Sequence, residues 1–185
     1  MSSIDPQEAA SALSDIDAIS RRVRQSTMYQ LSSLLTILWG ALVFAGNIAS
    51  FLAPRSAGLI WLGVYAVGIA GSLAISAAGY SRNRVRSVDI RTLLAYLLLI
   101  AFGMFCCWLA HFTAARQIGT FWAIYFMLVY TIVGLWVGYT FVAIGVSITA
   151  LTLIAYFFAG EWFEPWMAVI NGGGLVLGGL WMRRG

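Results

Sequence analysis

Six long runs of apolar residues, separated by short polar or turn-forming stretches, dominate the pattern of the chain. Each run has about the 20 residues that an α-helix needs to cross a hydrocarbon core roughly 30 Å thick. The runs are apolar on every side and show no alternation of period two, which favours helices over strands. They cover residues 31–53, 58–80, 92–112, 119–137, 140–159 and 164–182. The pattern predicts an all-α polytopic membrane protein, a bundle of six transmembrane helices occupying residues 29–185.

The fourth and fifth runs belong to one uncharged stretch, residues 117–160. As a single helix this stretch would be about 66 Å long, roughly twice the thickness of the hydrocarbon core. The sequence "VGYT" at residues 137–140 offers a glycine that loosens the helix and a tyrosine that suits the membrane interface. We therefore predict that the chain turns back at Gly138.

Residues 1–28 have a different pattern, in which apolar positions recur at helical spacing among polar ones. Asp5 followed by Pro6 is typical of the start of a helix, and Leu13 and Ile16 belong to its apolar face. These residues predict a cytoplasmic amphipathic helix ahead of the bundle. Its apolar face would lie on the membrane surface, pack against the bundle or bind a partner helix.

The basic residues orient the bundle. All eleven are arginine, and nine of them precede the first run, lie between the second and third, or follow the sixth. The positive-inside rule then places both termini in the cytoplasm, so the net charge of +4 reports topology and gives no sign of nucleic-acid binding. Arg82, Arg84 and Arg86 form a cationic loop that is a candidate contact for lipid phosphates or for a partner, although a plain positive-inside loop is the favoured interpretation.

Small residues four apart recur along several runs and predict close helix packing, because helices in lipid associate through van der Waals contact. The second run carries Ala66, Ala70, Ala74 and Ala78, and the sixth carries Gly174 and Gly178. We expect the second and sixth helices to be central. Three consecutive glycines, Gly172–Gly174, exceed what one packing stripe needs and mark a candidate break of the sixth helix.

Side chains that could carry chemistry are scarce. Apart from Glu164, the first residue of the sixth predicted span, no Asp, Glu, Lys or Arg lies within the six spans, and no hydrolase or metal-binding motif occurs, so we expect no catalytic residue, cofactor or metal ion. Asn47, His111 and Asn171 lie toward the outer side and are candidates for a polar pocket. The alternative is that the two amides only satisfy neighbouring groups as packing contacts.

The ending "GGGLVLGGLWMRRG", the earlier "GLWVGYTF" and the arginine-bearing amphipathic leader resemble a group of small, uncharacterised bacterial inner-membrane proteins. This resemblance covers most of the chain and implies six spans in a bacterial inner membrane, without supplying a reaction. The span count is also similar to that of six-span acid-resistance membrane proteins.

These observations lead to two functional hypotheses. The first is a non-enzymatic membrane protein that anchors, senses or regulates, in contact with the lipid bilayer and with a cytoplasmic or membrane protein partner or a second copy of itself. The second is a small channel or carrier for a neutral solute, which would use Asn47, Asn171 and Gly172–Gly174.

Overall fold

The computed structural model describes residues 30–83 and 90–183, and the side chains of residues 30–79 and 94–183. Within these ranges the chain forms six helices. They are α1 (Gln30–Leu52), α2 (Ala57–Asn83), α3 (Ile90–Leu109), α4 (Ala115–Val137), α5 (Tyr139–Phe158) and α6, which comprises Phe163–Met167, Ala168–Gly173 and Gly174–Met182. Short 3₁₀ turns at Pro54–Ser56 and Gly160–Trp162 precede α2 and α6.

Several predicted features lie outside the described residues. They are the amphipathic helix of residues 1–28 with Leu13 and Ile16, the residues Arg84 and Arg86, and the side chain of Arg82.

Four of the helical stretches are long and apolar enough to cross a membrane. They are Gln30–Leu52, Pro54–Gly79, Ala115–Val137 and Tyr139–Phe158, with mean hydropathies of 1.8 to 2.2. Only a minor share of each is buried by the protein itself, at most 33%. The remaining apolar surface is therefore available to lipid.

The turn between α4 and α5 is a single residue, Gly138, whose φ of 155° and ψ of 151° belong to a region that is essentially reserved for glycine. Its N–H donates to Gly134 O at 2.9 Å and closes the end of α4. A Cβ on Gly134 would lie 2.7 Å from Val142 N, so the two helices begin in backbone contact. Gly138 thus folds the long uncharged stretch into an antiparallel hairpin.

Helix α1 packs antiparallel against α6 through glycines on both helices. A Cβ on Gly40 would lie 2.8 Å from Gly172 O, and a Cβ on Gly172 would lie 2.5 Å from Phe44 N. At the end of this pair formed by the C-terminus of α1 and the N-terminus of α6, which we call the outer end after the orientation predicted from the sequence, the rings of Phe51 and Trp162 stack with centroids 6.1 Å apart. The absence of side chains at Gly40 and Gly172 lets the two backbones touch, which is the close approach that association in lipid requires.

The middle of α6 is widened without being interrupted. Residues Ala168–Gly173 are π-helical, and the N–H of Gly174 is directed at the carbonyls of Val169, Ile170 and Asn171. The helix therefore continues through Gly172–Gly174, where the sequence had suggested a break, because the wider turn keeps the backbone groups bonded within the helix. Single π turns inside α-helices are frequent at functional sites.

The core is formed by α1, α4, α5 and α6, and not by the second helix as the alanine pattern had suggested. In α2, the described side chains include only two buried residues, Val64 and Gly68, and both face α1. Helix α3 packs on α4, where Gly103 faces Trp122 and Tyr125 donates to Leu99 O at 2.9 Å. Helices α2 and α3 thus flank the core through α1 and α4.

Candidate functional site

The inner half of the core contains buried hydroxyls that have hydrogen-bond partners. Ser33 Oγ donates to Gly179 O at 2.5 Å and ties α1 to α6. Thr36 Oγ1 donates to Ser32 O at 2.7 Å and lies 2.8 Å from the hydroxyl of Tyr130 on α4. Each hydroxyl is therefore satisfied, as buried polar groups in folded proteins normally are.

The outer half of the core is also polar, but several of its groups have no partner. We call this set of buried side chains the outer polar layer; it consists of Asn47, Ser50, Thr120, Thr152 and Asn171. The hydroxyls of Ser50, Thr120 and Thr152 are buried without a hydrogen-bond partner. Their exposed fractions are 5%, 7% and 0%, so neither lipid headgroups nor bulk water reach them in this arrangement.

Arg116, in the first turn of α4, lies at the outer end of this layer. Its Nη2 donates to the carbonyls of Ala155, at 3.1 Å, and of Tyr156, near the end of α5. Its guanidinium carbon lies 5.4 Å and 5.2 Å from the ring centroids of Tyr156 and Phe163. A cation at the C-terminal end of a helix is favourable because unpaired carbonyls carry partial negative charge there. Its Nε, however, is buried without a partner.

The contact between Arg116 and the end of α5 sets the relative level of α4 and α5. Moving inward by one helical turn from this contact leads to Thr120 on α4 and Thr152 on α5, so the two hydroxyls lie at similar depth. The surrounding residues at this depth are Ala123, Ala155, Phe163 and Met167, which form one buried cluster from α4, α5 and α6. Two of the four are alanines, whose short side chains allow the helices to approach closely.

Of the three residues predicted to form a polar pocket, two are buried in the core and the third, His111, is exposed. Asn47 and Asn171 are both buried, on α1 and in the π-helical stretch of α6. Asn47 Nδ2 donates to Val43 O of its own helix at 2.8 Å, which is the packing role considered as the alternative. His111 is exposed beyond the end of α3, with φ of 53° and Nδ1 2.8 Å from Trp108 O. The histidine therefore takes no part in the buried layer.

Sequence reasoning overlooked Ser50, Arg116, Thr120 and Thr152. Serine and threonine are common in membrane helices, and nothing in the pattern shows which of them lack a partner. The only available signal was the spacing of Arg116 and Thr120, which places a cation and a hydroxyl on one face of a helix. Whether the hydroxyl of Thr152 has a hydrogen-bond partner can be judged only from the packing of α4, α5 and α6.

An open groove lies beside the outer end of α6 and has a volume of about 510 Å³. It is lined by Ala159, Trp162, Pro165, Trp166, Val169 and Ile170. These side chains offer apolar and aromatic surface with an indole at the rim, which suits the membrane interface. The groove carries no group that could act on a substrate.

The chemistry available to the outer polar layer is hydrogen bonding. Hydroxyls and carboxamides donate and accept hydrogen bonds but do not act as acids or bases near neutral pH, and the guanidinium of Arg116 only donates hydrogen bonds. Within residues 30–83 and 90–183, no three His, Cys, Asp or Glu side chains come together as a metal ion would require. The layer can therefore hold a small polar molecule in place.

The chain matches no known protein family, and no curated protein or solved structure is detectably similar to it.

Proposed function

We propose that the chain is a non-enzymatic integral membrane protein of a bacterial inner membrane, where it is an anchoring, sensing or regulatory partner of another protein. In this proposal it crosses the membrane six times and both termini lie in the cytoplasm. The arginine distribution supports the orientation, because nine of eleven basic residues lie on one side. The length and hydropathy of four helices support the membrane location.

The observation that carries this proposal is the open face of α2. Its alanines at positions 66, 70 and 74 are exposed, and a Cβ added to Gly63 would meet nothing within 4 Å. In lipid, small residues four apart allow another helix to approach closely, and here no helix of the described chain uses them. A partner helix, from another protein or a second copy of the chain, would fit this face.

The test is copurification in mild detergent from the native membrane, followed by mass spectrometry of the proteins that remain bound. The Ala70→Leu variant adds bulk to the open face and should release a partner, whereas Ile69→Ala, on the neighbouring flank of α2, should retain it. Deletion of residues 1–26 tests the cytoplasmic segment in the same experiment. A set of bound proteins unchanged in Ala70→Leu and in the deletion variant would contradict the proposal.

The outer polar layer favours a second candidate function, a small channel or carrier for a neutral solute. Its groups bind by hydrogen bonds, and the widened turn of α6 brings Asn171 into the same half of the core. The test is glycerol uptake into proteoliposomes, followed by light scattering. Asn171→Leu should reduce the rate, and the exposed Val169→Leu should not; equal rates in the two variants would exclude this site.

A further inference from the structure

Three polar atoms on α4 and α5 require an explanation in the described core. They are Arg116 Nε, Thr120 Oγ1 and Thr152 Oγ1, all buried and without a hydrogen-bond partner. A buried donor or acceptor that loses water and gains no partner destabilises the folded state, and lipid supplies no replacement. Unpaired groups therefore indicate a partner that is not among the described residues.

The three atoms lie in one region of the core. Arg116 and Thr120 are four residues apart on α4, hence on one face. Arg116 reaches Ala155 O on α5, which places Thr152 about one turn inward of that contact, at the level of Thr120. Ala123, Ala155, Phe163 and Met167 pack together at this level as one buried cluster from α4, α5 and α6.

The combination of groups limits the chemistry of the missing partner. Arg116 Nε–H can only donate, whereas each threonine hydroxyl can donate or accept. One oxygen that accepts from Nε–H and exchanges hydrogen bonds with both hydroxyls would satisfy all three. Buried water molecules make about three hydrogen bonds, which is the number available here.

We propose that Arg116, Thr120 and Thr152 form a binding site for the hydroxyl oxygen of a small uncharged molecule, either water or a small polyol. The site rests on contacts among α4, α5 and α6 and does not depend on a protein partner. If the protein is a channel or carrier for a neutral solute, this site would bind the solute through residues other than Asn47 and Asn171.

The charge around Arg116 favours an uncharged ligand over an anion. Its guanidinium already donates to two carbonyls at the end of α5 and lies against the rings of Tyr156 and Phe163. These contacts offset part of its positive charge. A desolvated anion would have only the remaining Nε–H and two hydroxyls to replace its hydration, which is costly in a buried site.

Thermal unfolding of the full chain in detergent, followed by tryptophan fluorescence, tests the site. If the ligand is bound, Thr120→Val and Thr152→Val each lower Tm by about 2–4 °C, the shift that one such hydrogen bond causes in a domain of this size. The double variant loses less than the sum, because both hydroxyls bind the same oxygen. Thr152→Ser keeps the hydroxyl but removes a buried methyl, so Thr120→Val should lower Tm by as much in the Thr152→Ser background as in the wild type.

Thr36→Val is the matched control, because Thr36 has partners within the chain and its loss must lower Tm whatever the outer site contains. An unoccupied site gives the opposite result at Thr120 and Thr152, since valine then removes an unsatisfied hydroxyl and leaves Tm equal or higher. That outcome would overturn the proposal.

Added solutes distinguish the two sources of the hydroxyl. A saturable rise of Tm with glycerol in the wild type that is smaller in Thr152→Val identifies a polyol site, and coupled Thr→Val effects without any glycerol dependence identify water. A saturable rise with sodium phosphate that disappears in Thr152→Val would show an anion site and refute the proposal. Glycerol uptake is measured in a separate experiment. A protein that does not transport glycerol would therefore still show, by its Tm, whether the site binds a hydroxyl.

Discussion

Neighbouring glycines in α6 have different surroundings. A Cβ on Gly172 would collide with the backbone of Phe44, whereas a Cβ on Gly173 would meet nothing within 4 Å. In the sequence the two positions are indistinguishable, because both belong to one glycine triplet. The difference arises from the approach of α1, which no local pattern contains.

Gly172→Ala should therefore destabilise the protein, whereas Gly173→Ala should not. The added methyl at Gly172 forces α1 and α6 apart, a type of overpacking that costs about 1–3 kcal/mol. At Gly173 the methyl enters open space, and alanine also favours a helix over glycine. Thermal unfolding of the two variants in the same detergent measures the difference. Equal Tm values would contradict the observed contact of Gly172 with Phe44.

The hydroxyl of Tyr130 links α4 to α1 through Thr36. Tyr130→Phe should cost about 0.6 kcal/mol, the mean for hydrogen bonds between membrane helices. Reversible unfolding in mixed micelles can resolve this loss. The control is Tyr139→Phe, whose side chain is exposed at the start of α5; a loss as large in the control would show that the assay does not report the contact.

At the scale of helices, the sequence predicts where each helix lies along the chain better than it predicts which helices pack together. A helix occupies each of the six predicted apolar runs, and the predicted turn lies at Gly138, because length and glycine placement are local properties. The prediction of a central second helix was wrong because its alanine stripe is equally compatible with a contact inside the chain or outside it. Trp39 shows the actual packing: its ring lies over Gly68 and its Nε1 donates to Ser72 Oγ at 3.1 Å.

The candidate site was only partly accessible to sequence reasoning. Asn47 and Asn171 are conspicuous because amides are rare in apolar runs, and both are buried in the outer half of the core. Thr120 and Thr152 look like ordinary membrane threonines until three helices are assembled around them. His111 attracted attention by its residue type, but its position after α3 leaves it exposed.

Arg116 should stabilise the outer end of α5. Arg116→Gln removes a cation from the helix C-terminus, an interaction worth up to about 2 kcal/mol where it is partly buried. Hydrogen exchange at Ala159, whose N–H donates to Ala155 O, should become roughly tenfold faster for each 1.4 kcal/mol lost. Arg55→Gln, at an exposed position in the connection before α2, is the control and should leave exchange there unchanged.

At the scale of the whole molecule, the core and most of the exposed apolar surface of the flanking helices belong to different parts of the chain. Helices α1, α4, α5 and α6 contain nearly all of the described buried residues, while α2 and α3 present apolar surface to the surroundings. Binding to the flank of α2 would therefore leave the core packing intact. The polar layer lies in the core, away from that flank.

The proposed topology has a direct test with reporter fusions in a bacterial host. Alkaline phosphatase fused after Ala114 should be active, because the α3–α4 connection is expected outside, and the same enzyme fused after residue 185 should be inactive. A fluorescent protein that folds only in the cytoplasm should show the reverse pattern. Activity of the phosphatase at residue 185 would place the C-terminus outside.

The π-helical turn of α6 amounts to one residue more than an α-helix needs to cover the same rise. Removing one residue between 168 and 173 would let the turn relax to α-helical geometry while the segments on either side keep their faces. Gly178 and Gly179 would then still face Ile144 of α5 and Ile37 of α1. Removing one residue from the α-helical part between Gly174 and Gly178 would instead rotate the two flanking segments by about 100° relative to each other and turn these glycines away from their neighbours. The π-helical stretch should consequently tolerate the loss of a residue better than the α-helical stretch that follows it.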